Sequence, residues 1–367
     1  MTVADVVAAL HRIAPPELAE EWDNVGLLLG DPTRPCERVV VALEVDRAML
    51  RRAARAGAQL VVSHHPPIFE PLRRVRADEP AGALALEAAR LGVALAAAHT
   101  NLDVAPGGVN DVLAERLGLR APEPLAPAAA GAQAKLVVFA PPDHLAALLA
   151  ALDEAGAGRI GRYRQCTFRA AGVGTFRGLE GARPAVGRVG RREEVRELRL
   201  EAVVPMALAA RAAAAVRAAH PYDEPAVDIY PLERARPELG LGRCGALATP
   251  MGAGRLVARI KRRLRVDHVR VVGSVRRRVE RAAVLGGAGG GHVADAVRAG
   301  CQLFLTGDVS HHQALEADAA GLVVVDAGHA ATEAPVIPVL ARRLRRRCPG
   351  ARFSALSAGA RGPFRFL

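Results

Sequence analysis

From Val39 to Leu119, short apolar runs alternate with longer amphipathic stretches. VVVALEV (39–45), QLVVS (59–63) and VALAAA (93–98) read as strands. Residues 47–56, about 80–91 and about 108–117 carry helical spacing between and after them. Brief β-branched runs separated by helices predict a mostly parallel sheet with covered faces. Upstream, MTVADVVAALHRI has the pattern of an amphipathic helix. The stretch APEPLAPAAAGA (121–132), with three prolines and small residues, breaks the rhythm and reads as a linker.

A different order occupies 134–232. KLVVFA, CTFRAAGVGTF, LRLEAVV and AVDIYPL read as strands, with helices over PPDHLAALLAALDEAG and PMALAARAAAAVRAAH. This β-α-β, β-α-β order suggests a ferredoxin-like sandwich. The first rhythm resumes from Leu241, with strands near 269–273, 282–286, 302–306 and 322–326. Neither flank promises a complete sheet of its own. The expected fold is therefore one α/β core, residues 1–128 and 241–367, interrupted by an α+β insert over 129–240.

Composition narrows the function classes. A chain of 367 residues has room for two or three domains of ~100–200 residues each. It has no apolar run long enough to span a bilayer, which needs ~18 residues or more. The N-terminus lacks the basic start and apolar core of a signal peptide, so a cytoplasmic location is expected. Five cysteines (Cys36, Cys166, Cys244, Cys301, Cys348) are scattered without a CxxC, which is neither a disulfide framework nor a zinc ribbon. The net charge of +12 is arginine-borne, since only Lys135 and Lys261 are lysines, and residues 251–281 hold eleven basic side chains against two acidic. Such clusters can engage phosphate backbones. With aromatics at 3% there are few platforms for base stacking, and a solvated arginine-rich face is the simpler reading.

The chemistry gathers at strand ends. VVSHHPPIF (61–69) runs an apolar strand into two histidines and then two prolines. Pro66 keeps His65 out of the helical region. In extended backbone, neighbours point to opposite faces, so His64 and His65 are expected to serve different partners. AHTNLD (98–103) offers His99 and Asp103, GDVSHH (307–312) offers Asp308, His311 and His312, and DAGHAATE (326–333) offers His329 and Glu333. Open α/β sheets bind ligands beyond the carboxyl ends of their strands, so four distant segments are expected to meet. His329 and Glu333, four apart, share one helical face. Imidazole with carboxylate suits zinc, iron or manganese. Two divalent ions per subunit are expected, each neighbouring histidine serving its own and Asp103 bridging both. His99 is a candidate for steadying the ligands from outside or for proton transfer, and His312 a candidate for orienting substrate. Trp22, Asp23 and Asn24 are explained equally well by packing and capping. GGAGGGH (286–292) reads either as a tight turn or as a phosphate-receiving loop, although it fits neither familiar glycine fingerprint.

EEWDNVGLLLG (20–30), VVSHHPPIF, AHTNLDVAPGGVND (98–111), GDVSHHQALEA (307–317) and GHAATE (328–333) together resemble the Nif-three-like proteins, also known as GTP cyclohydrolase I type 2 homologues, in their long form. The resemblance spans most of the chain. It implies an α/β core, a dinuclear metal centre held by His64, His65, Asp103, His329 and Glu333, and a ring-shaped homohexamer with the centres facing its cavity. HPYDEPAVDIY (220–230) is similar to a strand motif of PII/CutA-like trimeric domains, which implies that the insert makes trimer contacts capping the ring.

Two functional classes are open. One is a metal-dependent hydrolase acting on a nucleotide-like substrate, with His99 or His312 moving protons. The other is a non-catalytic metal-binding or regulatory protein. An adaptor on nucleic acid, using the 251–281 arginines, is a weaker third.

Overall fold

A computed structural model describes residues 1–127, 132–161, 163–232 and 239–356. Met1–Ala128 together with Glu238–Leu367 forms one compact unit, and Ala129–Pro237 forms another.

The first unit holds two sheets. One orders its strands Gly26–Leu29, Ala94–Ala97, Leu60–Ser63, Arg38–Ala42 and Arg352–Leu356. Only Gly26–Leu29 pairs antiparallel. Leu60, Val61 and Val62 are fully buried, as strands of a parallel sheet covered on both faces should be. The helix Pro80–Leu91 starts on a proline and stops at Gly92, whose φ of 62° suits a residue without Cβ.

The other sheet orders Arg270–Val272, Val323–Asp326, Leu303–Gly307, Arg278–Ala288, Arg243–Gly252 and Leu119–Glu123. The middle pairings are parallel. Each flank builds most of one sheet, but neither sheet is complete without a strand from the other flank. What they trade is one strand each. Arg352–Leu356, from the C-terminal flank, lies parallel to Arg38–Ala42, and Leu119–Glu123, from the N-terminal flank, pairs with Arg243–Gly252.

That last strand corrects the linker reading of 121–132. Pro122 sits at the sheet's edge, where a missing N–H breaks no ladder. Ala126–Pro127 pairs with Gly240–Leu241, so Gly240, at the expected insert boundary, belongs with core strands. Residues 128–131 lie outside the described ones.

The second unit runs Gln133–Ala140, Leu145–Glu154, Thr167–Arg177, Arg192–Pro205, Met206–Ala219 and Val227–Leu232 as β-α-β-β-α-β. Its sheet places the fourth strand beside the first, then the third, then the second, all antiparallel. Leu136, Val138, Leu200 and Ala202 face a core shared with Leu148, Leu152, Ala212 and Val216 of the helices. This is the ferredoxin-like order that the alternation predicted.

Candidate metal centre

His64 and His65 leave the strand at Ser63. Their backbone N–H groups still donate to the neighbouring strand's exit, to the carbonyls of Ala42 (3.0 Å) and Leu43 (2.9 Å). His64 Nδ1 lies 2.9 Å from the Ala98 carbonyl. A carbonyl accepts only, so Nδ1 carries the proton and the lone pair of the neutral ring sits on Nε2. That Nε2 is buried and has no hydrogen-bond partner.

The two histidines do not part company as extended backbone would require. The strand has already ended, and their rings lie 5.1 Å apart. Both meet Glu333, on its two different oxygens. His65 Nε2 is 2.8 Å from Oε2, and His64 Nε2 is 3.6 Å from Oε1. His329 Nε2 is 3.2 Å from Oε2 as well.

Glu333 reaches this point from the short helix His329–Glu333, started by Gly328. Glycines make its room. A Cβ on Gly287, which has φ +71°, would stand 2.3 Å from Glu333 Oε1. Asp103 closes the other side from helix Thr100–Val104. Its Oδ1, buried and without a partner, is 3.7 Å from His64 Nε2.

These separations fit metal ligation. Two atoms each ~2.1 Å from one ion can lie up to ~4.2 Å apart. His64, His65 and Glu333 each offer a ligand atom within 4.8 Å of the others, a candidate metal-binding group. The electrostatics point the same way. Burial pulls the His64 imidazole down, but Glu333 and Asp103 outweigh it and push it up to about 9. His329 also rises to about 9, chiefly through its hydrogen bond to Glu333. Burial lifts Asp103 to about 7 against the pull of His64. Burial also raises Glu333, yet its three histidines hold it well below the carboxylate range. The pocket asks for positive charge, which protons or a divalent cation can supply.

Two carboxylates orient the rings, Asp308 from the GDVSHH candidates and Asp23, which the sequence explains by packing and capping. Asp308 Oδ2 is 2.6 Å from His329 Nδ1, and Asp23 Oδ1 is 2.8 Å from His99 Nδ1. Carboxylate on the far nitrogen is how ligating histidines are held. Asp23 also accepts from the Thr100 hydroxyl and backbone. Burial opposes its ionisation, but His99 and Thr100 lower it to about 2. Asp23 therefore does more than cap, although nothing in the sequence near it points to His99, 76 residues away. His99 lies 5.3 and 5.7 Å from the His64 and His65 rings, and the Trp22 and Phe69 rings, in contact with each other, both pack edge-on against it.

His311 and His312 begin the helix His311–Ala319, both exposed, their rings meeting edge-to-face at 5.7 Å. No hydrogen bond or ion pair among the described residues ties His312 to the cluster.

Part of the 286–292 loop is already committed within the protein. The N–H groups of Gly286, Gly287 and Gly289 already donate to Asn110 Oδ1, Thr332 Oγ1 and Thr306 Oγ1. Gly286 and Gly287 lie against the Glu333 side chain.

A two-sheet α/β core with histidines and carboxylates converging beyond its strand ends defines an open-sheet scaffold with a candidate metal site. The chain belongs to the Duf34/NIF3 (NGG1p interacting factor 3) family, whose model matches residues 1–358. A Bacillus subtilis relative is 40% identical over 365 residues, 99% of this chain and 98% of the relative. A Halalkalibacterium halodurans relative is 41% identical over 324 residues, covering 88% and 87%. Both are named GTP cyclohydrolase 1 type 2 homolog. Among solved structures, the Bacillus cereus protein related to NIF3 is 36% identical with a TM-score of 0.71, covering 100% of this chain and 99% of that one. A Staphylococcus aureus protein gives 28% and 0.74 over the same shares. Among the described residues, no helix is long and apolar enough to cross a membrane.

Proposed function

We propose that the chain holds two divalent ions and is a metal-dependent hydrolase acting on a nucleotide-like substrate. One observation carries the reading: three histidine Nε2 atoms converge on the two oxygens of one buried carboxylate. His64, Asp103 and Glu333 Oε1 would hold one zinc, iron or manganese ion, and His65, His329 and Glu333 Oε2 the other. Glu333 would then be the shared ligand, a role first expected of Asp103. When bound, such ions acidify a coordinated water and polarise an electrophile.

The protein's own groups supply the rest. Asp308 fixes the His329 tautomer, and the Ala98 carbonyl fixes that of His64. His99, held through Nδ1 by Asp23, keeps Nε2 for moving a proton beside the centre. The relatives' names suggest ring-opening hydrolysis of GTP.

The partly committed glycine loop favours a second reading, non-catalytic metal binding or regulation, because it weakens one candidate phosphate cradle. An adaptor role on nucleic acid has less support, since Arg270, Arg278 and Arg281 pair with Asp326, Glu280 and Glu123. The family resemblance further supports a ring-shaped homohexamer with PII/CutA-like trimer contacts by the insert, which light scattering tests.

Protein reconstituted with zinc, manganese or iron should bind near two ions per chain by elemental analysis. Mass spectrometry of GTP and a nucleotide panel should then show turnover that a chelator reversibly stops and that identically purified Glu333→Gln lacks. Two bound ions with every nucleotide untouched would move the assignment to the regulatory reading.

A further inference from the structure

The inserted unit contains a cavity of about 550 Å³ that the metal-site reading leaves unused. Small-molecule sites run from roughly 300 to 1,000 Å³. One side is the strand segment Ala170-Ala171-Gly172-Val173-Gly174. Gly172 pairs with Glu197 and Ala170 with Arg199, so the cross-strand positions beside both charges carry almost no side chain. Where neighbouring side chains would normally fill such a face, this one is open.

Phe139, Phe176 and Tyr222 provide aromatic surface. The loop after the strand also lines the cavity, and it is tied down where the Arg183 N–H donates to Asp223 Oδ2 at 3.0 Å. HPYDE (220–224) is thus an organising wall. His220 bonds the Phe139 carbonyl through Nε2 and accepts the Tyr222 N–H on Nδ1.

The charges select the ligand. Glu197, Asp223 and Glu224 line the cavity against one lining arginine, Arg199. Asp223 is taken by the N–H groups of Arg183 and Glu224. Arg199 gives its Nε to Glu201 at 2.7 Å and lies over the Phe139 ring. Glu197 takes the Tyr222 hydroxyl on Oε1 at 2.8 Å, and its Oε2 has no partner among the described residues. That oxygen lies flat against Gly174, where a Cβ would come within 2.1 Å of it. An acceptor beside aromatic faces, in an acidic recess, matches an ammonium group on an apolar body.

We propose that this cavity binds a small organic cation, an amine carrying an aromatic or branched apolar body, with Glu197 accepting from the ammonium. Calorimetry on the full chain tests it with phenylethylamine, L-phenylalanine and 3-phenylpropanoate as probes. Phenylethylamine should bind saturably, phenylalanine more weakly and phenylpropanoate not at all. Gly172→Leu, whose added side chain enters open space, should abolish binding while metal content and the melting curve stay as in the parent. Glu197→Gln should lower amine affinity at least tenfold. No amine binding to the parent protein, binding that survives Gly172→Leu, or a preference for phenylpropanoate overturns the proposal. So does an absence of amine binding combined with a Gly172→Leu change in the mass seen by light scattering. That result assigns the face to contact between copies of the chain.

Discussion

The two sheets of the core are built on one plan and use it differently. In each, an antiparallel edge strand, Gly26–Leu29 or Arg270–Val272, lies beside the last of three parallel strands that follow one another in the chain. RAGAQL (55–60) and RAGCQL (298–303) open the middle strands. Gln59 accepts from the N–H groups of Glu37 and Arg38 and donates to the Gly57 carbonyl. Gln302 does the same with Glu280, Arg281 and Gly300, at matching distances. After each third strand comes a histidine with an acid four residues later: His99 with Asp103, and His329 with Glu333. Each histidine is gripped at Nδ1 by a carboxylate, Asp23 or Asp308.

The differences lie in reach and in the residues just past the middle strand. His64 and His65 stand there in the first sheet. In the second, Gly307 and Asp308 take the place, and a Cβ on Gly307 would lie 2.7 Å from the His329 nitrogen. Asp308 adopts a left-handed φ of 53°, uncommon for a residue with Cβ, and spends its carboxylate on His329. Glu333 is one methylene longer than Asp103 and meets three histidines, whereas Asp103 is within ion-pair range of His64 alone among the described residues. Equal spacing in the two halves therefore does not give equal roles.

Exchanging charge for amide at the two acids is the severest test of that asymmetry. Glu333→Gln should lose nearly all bound metal, and Asp103→Asn about half, by elemental analysis after reconstitution. Equal losses would mean that the halves contribute alike and that Glu333 is not the shared ligand.

The orienting carboxylates should separate next. Losing a hydrogen-bond partner of a ligating histidine costs roughly 10–100-fold in metal affinity, which Asp308→Asn should show in competition with a chromophoric chelator. Asparagine tolerates the left-handed backbone there. Asp23→Asn should leave affinity within a few fold, because His99 is assigned to protons rather than to metal. Identical losses would add His99 to the ligand set.

Stability of the chelator-treated protein should depend on pH through His64 and His329. A histidine raised in the folded state stabilises fully below its unfolded value, ~6.5. That contribution is lost as pH climbs through about 9. Asp103, raised to about 7, destabilises progressively from its unfolded value of ~3.9 upward, in the same direction. Melting temperature should fall between pH 6.5 and 9 by at least about 3 °C, the shift that roughly 1 kcal/mol produces in a domain of this size. The metal-loaded protein should show a flat curve, and a parallel fall in both forms would rule out the cluster as its source.

The smallest effect tests the shared plan itself. Gln59→Ala and Gln302→Ala should each cost about 1 kcal/mol in denaturant unfolding, since each strips the same hydrogen bonds. A difference well beyond that figure would show that the likeness of the halves stops at geometry.

Much of the site was legible in order but not in arrangement. The strand-end histidines, the four-residue spacings and the ferredoxin-like insert come from periodicity, a local property. The edge strand Leu119–Glu123 was hidden because proline and small residues make an edge look like a linker. Asp23 escaped notice as an anchor because its partner, His99, is 76 residues away in the chain.

The sequence alone determined which residue types stand at which strand ends, because alternating strands and helices set where each run of backbone stops. Tertiary structure alone decided that His64 and His65 converge on one carboxylate, that Glu333 outreaches Asp103, and that Gly286 and Gly287 seat the Glu333 side chain. The first two outcomes depend on separations of a few ångströms between segments more than 200 residues apart, and the third on segments more than 40 apart. Local propensity carries no information about them, and only the packing of the two sheets does.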